Sequence, residues 1–259
     1  MPGLLGKVII IGEIEAVTGL RIGGSSTGLK IGGVDLNVIT DAYGKPYIPG
    51  SSLKGKTRHL AERLYNRLPN EKGLHLCEKE DDYKNCPVCR LWGILGTTNF
   101  SVPTLTRLIF QDVPIREESI TEEMRRNMDL HWTEVKWETA IDRRTGTVLH
   151  GSLRQVERVP AGAIFGPMRI LVSLYEKDDV DLLKTLFESM ALLEDDYLGG
   201  MGSRGYGQVQ FRELKIIWKS AEDYRAGKDG NLFWEGENAK KLVKNFDDIK
   251  KKIDIKKKN

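Results

Sequence analysis

All three cysteines of the chain fall in one short stretch that also holds a histidine. His75-Leu76-Cys77 is followed after eight residues by Cys86-Pro87-Val88-Cys89. A Cys-x-x-Cys pair places two thiolates on one knuckle. A third thiolate and an imidazole complete a closed tetrahedral set, and a sulfur-rich site with no open position suits structural zinc. His75 is taken as the fourth ligand in preference to His59. The competing reading, a thioredoxin-like redox pair, requires a βαβ context that the flanking residues lack. The surrounding stretch, residues 69–92, is polar and too short to build a core, so metal binding would supply its folding energy.

Two further motifs speak of phosphate. Gly50-Ser51-Ser52-Leu53-Lys54-Gly55-Lys56-Thr57 fits the P-loop pattern, and Leu108-Ile109-Phe110-Gln111-Asp112 offers an apolar strand ending in aspartate. A P-loop needs a buried strand before it and a helix that begins near its lysine. Here Pro46 and Pro49 precede it, and the helical apolar stripe already starts at Leu53, so an NTPase is disfavoured. What remains is a helix start at Ser51 and Ser52 with Lys54 beside it. Such a start is either an ordinary cap or a seat for a phosphate, an RNA backbone included. Gly200-Met201-Gly202-Ser203-Arg204-Gly205 matches the dinucleotide fingerprint, but a helix precedes it and a strand follows, the reverse of the required order. The glycines still permit close approach to a ligand, and Arg204 among them could clamp a phosphate. The plain alternative is a tight helix-to-strand turn.

The elements that must position these residues follow from periodicity. Residues 7–18 alternate as a first strand, and 51–68 carry a helical stripe ended by Pro69. Residues 106–113 read as a strand and 117–128 as a helix. Residues 132–140 and 147–159 read as a long hairpin, 163–175 as a strand, 180–193 as a helix and 208–218 as the last strand. Without insertions this is β-α-β, β-α-β, an α+β fold with a ferredoxin-like or RNA-recognition-type core. The expected division is a core domain over 1–220, with insertions at 69–92 (zinc) and 130–160 (hairpin), and a basic C-terminal tail over 221–259. In the last twenty residues of that tail nine lysines face three aspartates.

The chain has 259 residues, 40% hydrophobic and 30% charged, with a net charge of +3. That is globular, and too nearly neutral overall to imply nucleic acid by itself. The apolar runs are too short for a membrane span, and the N-terminus lacks the pattern of a secretory signal. An odd cysteine count argues against a disulfide framework, so reduced thiols and a cytoplasmic location are expected.

Five stretches, in order, resemble the repeat-associated mysterious protein (RAMP) superfamily of CRISPR systems, most sharply the backbone subunits of type III-A (Csm) effector complexes. They are Ile31-Gly32-Gly33-Val34-Asp35, Tyr47-Ile48-Pro49-Gly50-Ser51-Ser52-Leu53-Lys54-Gly55, Cys86-Pro87-Val88-Cys89-Arg90-Leu91-Trp92-Gly93, the hairpin strands around Glu134-Val135-Lys136-Trp137-Glu138 and Val156-Glu157-Arg158-Val159-Pro160, and Gly199-Gly200-Met201-Gly202-Ser203-Arg204-Gly205-Tyr206-Gly207. The resemblance covers residues 7–219 and implies an RNA-recognition-type fold whose copies stack as a filament along a crRNA, beside other Csm-type subunits. It implies that the hairpin is a thumb that displaces a base between crRNA and target RNA. It also implies that a loop aspartate, here Asp35, serves cleavage next to that base.

The implied RNA-binding set is Arg21, Ser51, Ser52, Lys54, Arg58, Gly202, Ser203 and Arg204. Arg21 stands where some members carry histidine, which questions an imidazole role there but leaves phosphate binding intact. Cleavage would proceed by attack of the RNA's own 2′-OH. An ordinary aspartate, with a pKa of about 3.9, is a poor base at neutral pH, so Asp35 is equally a ligand for a divalent ion such as Mg or Mn. Arg21, Lys30 or Arg143 could neutralise the phosphate, and Glu138 is a second carboxylate candidate. The competing readings are a non-catalytic crRNA-binding filament protein and a stand-alone RNA-processing nuclease relying on His59.

Overall fold

Alternation along the first strand sets its most deeply buried side chains. In the computed structural model, which describes residues 2–24, 36–71, 73–94 and 100–253, Val8, Ile10, Ile14 and Ala16 of β1 (Gly6–Ala16) are wholly buried. The chain continues through β2 (Tyr47–Ile48), α1 (Gly50–Leu64), α2 (Glu80–Lys84), α3 (Pro87–Trp92), β3 (Leu108–Phe110), β4 (Val113–Pro114) and α4 (Glu122–Asn127). There follow β5 (Glu134–Glu138), β6 (Arg154–Arg158), β7 (Ile164–Leu174), α5 (Leu182–Glu194), β8 (Val209–Ser220), α6 (Ala221–Arg225), β9 (Asn231–Gly236), α7 (Ala239–Lys244) and α8 (Phe246–Lys252).

The main sheet is antiparallel, in the order β3-β7-β1-β8-β9. Without β9, the first and third core strands lie central and the second and fourth outside, as the split β-α-β, β-α-β unit requires. The ferredoxin-like reading therefore holds. Helices α1 and α5 pack together. Leu53, Leu60 and Ala61 of α1 and Leu183, Leu186, Phe187 and Met190 of α5 join the strand residues in one core. Such burial contributes about 1.5–3 kcal/mol for each large side chain.

Several boundaries differ from the periodicity. Helix α1 stops at Leu64, and Asn66 adopts a positive φ of 50°. The expected helix over 117–128 is cut in two, because the Thr121 hydroxyl accepts the Met124 N–H (3.2 Å) and starts α4 afresh. The long hairpin pairs regularly only at its base, as β5 with β6. Farther out, the Ser152 hydroxyl accepts the Ala140 N–H (3.0 Å), replacing ladder bonds by local ones. The strand expected over 106–113 shortens to β3, after which β4 leaves to pair with β2.

The segment after residue 220, set apart in the sequence as a basic tail, departs most. β9 adds a strand to the sheet edge, and Ala239, Leu242, Phe246, Ile249 and Ile253 are buried. Those last four recur every three or four residues, an amphipathic stripe that the lysine count conceals. Glu194 ties it down, its carboxylate accepting the N–H groups of Ala239 (3.2 Å) and Phe211 (3.1 Å). Residues 254–259 lie outside the described residues.

The cysteine-bearing insertion is fastened to the body by a buried carboxylate. Asp179 pairs with Arg107 (2.7 Å) and Arg90 (2.9 Å) and accepts the N–H groups of Tyr175 and Glu176. Its side chain is wholly buried and that of Arg107 is 5% exposed. Asp179→Ala would leave a buried guanidinium unpaired, and a loss of about 3–5 kcal/mol in urea unfolding is expected. A loss under about 1 kcal/mol, the range of surface pairs, would show that water replaces the carboxylate.

Candidate nucleic-acid interface and metal centre

The four soft-ligand residues converge. His75 Nε2 lies 3.5 Å from Cys77 Sγ and 3.4 Å from Cys86 Sγ. One ligand atom from each of His75, Cys77, Cys86 and Cys89 falls within 4.8 Å of all the others. Tetrahedral bonds of about 2.0–2.3 Å give edges of about 3.3–3.8 Å, so the donor set fits a zinc-sized ion. The reason is local: Cys86 caps α3 and its sulfur accepts the Cys89 N–H (3.4 Å), which folds the knuckle. Alone, the thiols oppose one another. The bond from Cys89 holds Cys86 down to about 4, whereas burial and the Cys86 charge push Cys77 up to about 11. A dication would relieve that opposition.

Arg58 belongs to this centre. Its guanidinium donates to the carbonyls of His75 (2.8 Å) and Gly93 (3.1 Å) and pairs with Glu62 (2.8 Å). It clamps the insertion onto α1, so the guanidinium that the sequence assigned to RNA is engaged by protein groups. All three groups lie on the protein side; the i,i+4 spacing of Arg58 and Glu62 signals their pair, but the two carbonyls have no counterpart in local spacing.

At the start of α1, the Gly50 N–H donates to Asp112 Oδ1 (2.7 Å). A carboxylate thus already occupies the positive end of the helix. Thr57, the P-loop threonine by pattern, is buried and donates to the Leu53 carbonyl (2.8 Å). The nucleotide cradle is absent for these two reasons. Lys54 is half-buried with Nζ 3.3 Å from the Leu108 carbonyl, and burial, then Arg58, lowers its pKa. Ser51 is exposed and Ser52 half-buried. One turn on, Lys56 pairs with Asp196 (3.2 Å) and sits 3.8 Å above the Tyr197 ring, joining the helix start to the root of the glycine-rich turn.

That turn links α5 to β8 and contains a single 3-10 turn, Gly202–Arg204. It lies against the strand exit after β1: the Gly200 N–H donates to the Arg21 carbonyl (2.9 Å) and the Gly207 N–H to that of Gly19 (3.0 Å). Gly199, at φ 79°, has no room for a Cβ, which would collide with the Arg21 carbonyl. The Arg21 guanidinium lies beside Gly200. Among the described residues it has no carboxylate partner, and its Nε is buried without a hydrogen bond. Arg204 is 54% exposed.

The hairpin base packs on the same turn through Tyr206. The Tyr206 hydroxyl donates to Glu138 Oε1 (2.7 Å), and Lys136 and Arg158 lie 4.7 and 5.1 Å from its ring centre. Glu138 Oε2 accepts from Arg154 (3.2 Å) and Arg204 (3.3 Å). Burial opposes the Glu138 charge, but Tyr206, Arg154, Lys136 and Arg204 outweigh it and hold the carboxyl below its usual range. Burial and the Glu138 carboxylate push Tyr206 up to about 12. Both oxygens of Glu138 are therefore engaged within the protein. From Trp137 in β5 outward, the hairpin exposes Trp137, Ile141, Val148, Leu149 and Leu153, an apolar array suited to bases rather than phosphates. Arg143 is exposed in the same arm.

The structure thus brings Arg21, Gly202, Ser203 and Arg204 to the hairpin base, with the α1 start joined through Lys56. Asp35 and Lys30 lie outside the described residues. In the sequence, Lys56 and Asp112 stand only within the disfavoured P-loop pattern and Tyr206 only within the glycine-rich stretch, so spacing assigns none of them a place at this site. A tyrosine directly after the glycine run and an aspartate directly after an apolar strand were the available signals.

Comparison with known proteins agrees with this geometry. The pattern of the RAMP superfamily matches residues 13–210. The chain is 40% identical over 255 residues to the CRISPR system Cms endoribonuclease Csm3 of Methanocaldococcus jannaschii, covering 97% of this chain and 94% of that protein. It is 39% identical over 228 residues to the protein of the same name from Methanothermobacter thermautotrophicus, covering 84% and 88%. A Csm3–Csm4 subcomplex of the type III-A CRISPR-Cas interference complex superposes with a TM-score of 0.61 at 32% identity, over 95% of this chain and 97% of that one. Methanopyrus kandleri Csm3 shares the fold, with a TM-score of 0.65 at 21% identity over 98% of this chain and 100% of that one.

Proposed function

Because this chain belongs to the RAMP superfamily, we propose that it is the crRNA-binding backbone endoribonuclease subunit of a type III-A CRISPR interference complex and cuts complementary target RNA. The observation that carries this reading is the match along nearly the whole chain to endoribonucleases of that system.

The residues support a division of labour. Arg21, without a carboxylate partner among the described residues, and Arg204, exposed, take backbone phosphates near the glycine-rich turn, where Gly202 and Ser203 let the strand approach. Ser51, Ser52 and Lys54 are secondary contacts, since Asp112 occupies the helix end and Lys54 is half-buried. Guide bases stay free to pair, so contacts read backbone rather than sequence. The apolar hairpin parts guide from target and leaves one nucleotide splayed. Asp35 then assists attack of that nucleotide's 2′-OH on its own 3′-phosphate. The 2′-OH gives up its proton, a cyclic phosphate is left, and the next nucleotide's 5′-oxygen departs as a hydroxyl. A divalent ion such as Mg or Mn at the site would supply charge for the phosphate. His75, Cys77, Cys86 and Cys89 hold a structural zinc. Copies of the chain associate as a filament with other Csm-type subunits. No helix among the described residues is long and apolar enough to cross a membrane. The three free, buried cysteines suit a reducing, cytoplasmic setting.

The deciding experiment is to purify the assembled complex, sequence its RNA, and map cuts on a complementary target. Cuts at a constant spacing, lost when the 2′-OH at the cut is replaced by hydrogen, are expected. A target bound but uncut would favour a filament protein without chemistry of its own. On the same material, Arg21→Ala and Arg204→Ala should each weaken RNA binding with little sequence dependence. Each should also flatten the salt slope by about one unit per lost phosphate contact. An unchanged slope in both would remove these residues from the interface.

A further inference from the structure

Residues 22–24 and 37–39 form the paired stem of the segment that carries Asp35. The Ile39 N–H donates to the Ile22 carbonyl (2.9 Å), and Gly23 bridges Val38. Both sides of the chain around this stem are attached to one stretch of the hairpin, β6 and the residue that follows it, Val159. On the incoming side, Leu20 and Val159 exchange N–H···O bonds of 2.9 and 2.8 Å. On the outgoing side, Leu36, the residue after Asp35 in the sequence, bridges Val156 in parallel and accepts the Glu157 N–H (3.0 Å). Val156 is buried against this junction and Glu157 is half-buried.

Between these attachments the Glu157 side chain makes two more bonds. Oε2 accepts the Val38 N–H (2.8 Å), and Oε1 accepts the Thr133 hydroxyl (2.6 Å) just before β5. One side chain therefore spans three pieces of backbone: the hairpin strand it stands on, the entrance of the hairpin's other strand, and the chain leaving Asp35. No cation is paired with this carboxylate among the described residues. Its role here is geometric, fixing two donors at set distances, and not charge compensation.

We propose that Glu157 is a positioning residue for RNA cleavage, fixing residues 36–39, the chain that follows Asp35, relative to the hairpin that parts guide from target. This rests on the reading of Asp35 and of the hairpin given above. In that reading the cut must fall beside the displaced nucleotide, so the hairpin and the aspartate must keep one fixed relation. Misplacement of a reacting group by about 1 Å costs up to about 100-fold in rate. Glutamine preserves the geometry: its carbonyl oxygen can accept the Val38 N–H and its amide can donate to Thr133 Oγ1. Alanine removes both bonds while the backbone bond to Leu36 remains.

The test uses the assembled complex carrying Glu157→Ala, Glu157→Gln, Thr133→Val or Asp35→Ala, with target affinity, single-turnover rate and cut positions read for each. Glu157→Ala should cut about 10–100-fold more slowly or at displaced positions, with target affinity kept. Glu157→Gln should restore rate and position, and Thr133→Val should show a smaller loss in the same direction. Wild-type cutting by Glu157→Ala beside an inactive Asp35→Ala would overturn this proposal alone. Wild-type cutting by Asp35→Ala would overturn the catalytic reading beneath it. Target affinity falling together with rate would make Glu157 a merely structural prop, and Glu157→Gln as slow as Glu157→Ala would make its charge the operative feature. Either result rejects positioning. Should Glu157→Ala fail to assemble, Thr133→Val decides, and an unchanged rate there counts against it.

Discussion

Replacing Asp35 by alanine is expected to lower target cleavage by the assembled complex at least about 100-fold, the low end of what a positioned acid–base or metal-holding group contributes. Guide and target binding should stay close to wild type. The separation follows from charge and place. An aspartate offers no positive charge to phosphates, whereas the proposed phosphate contacts, Arg21 and Arg204, lie on the strand exit and on the glycine-rich turn beside it. Removing a group that acts only in the transition state lowers the rate without touching affinity. Cuts should recur at one spacing along the target, because in the proposed filament each copy would bring one hairpin and one Asp35. A variant complex that cut normally would move the chemistry elsewhere. Glu138 is then a poor successor, since Tyr206, Arg154 and Arg204 already engage both of its oxygens. Mapping the products on a labelled target, alongside affinity by filter binding, separates these outcomes.

The second large effect is expected at the cysteine cluster. Cys86→Ser with Cys89→Ser should abolish binding of about one zinc per chain. It should also raise amide exchange across residues 73–94, while the strands of the main sheet stay protected. Structural zinc contributes about 10–16 kcal/mol of apparent binding energy in small zinc domains at pH 7, comparable to or above what the insertion gains from burying Tyr83, Val88, Leu91 and Trp92 at about 1.5–3 kcal/mol each. Two anchors limit the damage: Arg58 on the His75 and Gly93 carbonyls, and Asp179 with Arg90 and Arg107. Local rather than global unfolding is the outcome, and elemental analysis with hydrogen exchange reads it. Native protein free of metal, or a variant with unchanged exchange, would dismiss the structural ion.

The two predictions rest on information of different depth. His75, Cys77, Cys86 and Cys89 were legible because metal ligation needs particular side chains at short spacing, and their sequence neighbourhood already brings most of the set together. The β-α-β, β-α-β order was legible because burial imposes periods of 2 and 3.6 on the sequence. What neighbourhood could not supply is which distant groups meet. Arg58 sits on the exposed-looking side of the α1 stripe and reads as a free cation until the insertion folds back and offers it two carbonyls. The serine-rich start of α1 reads as a phosphate seat until β3 and the residues after it bring Asp112 to its first N–H. The lysines after residue 239 read as a tail until the stripe of Leu242, Phe246, Ile249 and Ile253 finds the core. Glu138 and Glu157, unremarkable carboxylates in an alternating hairpin, acquire their partners from Tyr206 and Val38, 68 and 119 residues away. Local spacing determines what a residue type can do, whereas hydrogen bonds across such separations exist only once the strands between them are packed, and it is those bonds that decide what each residue is left free to do.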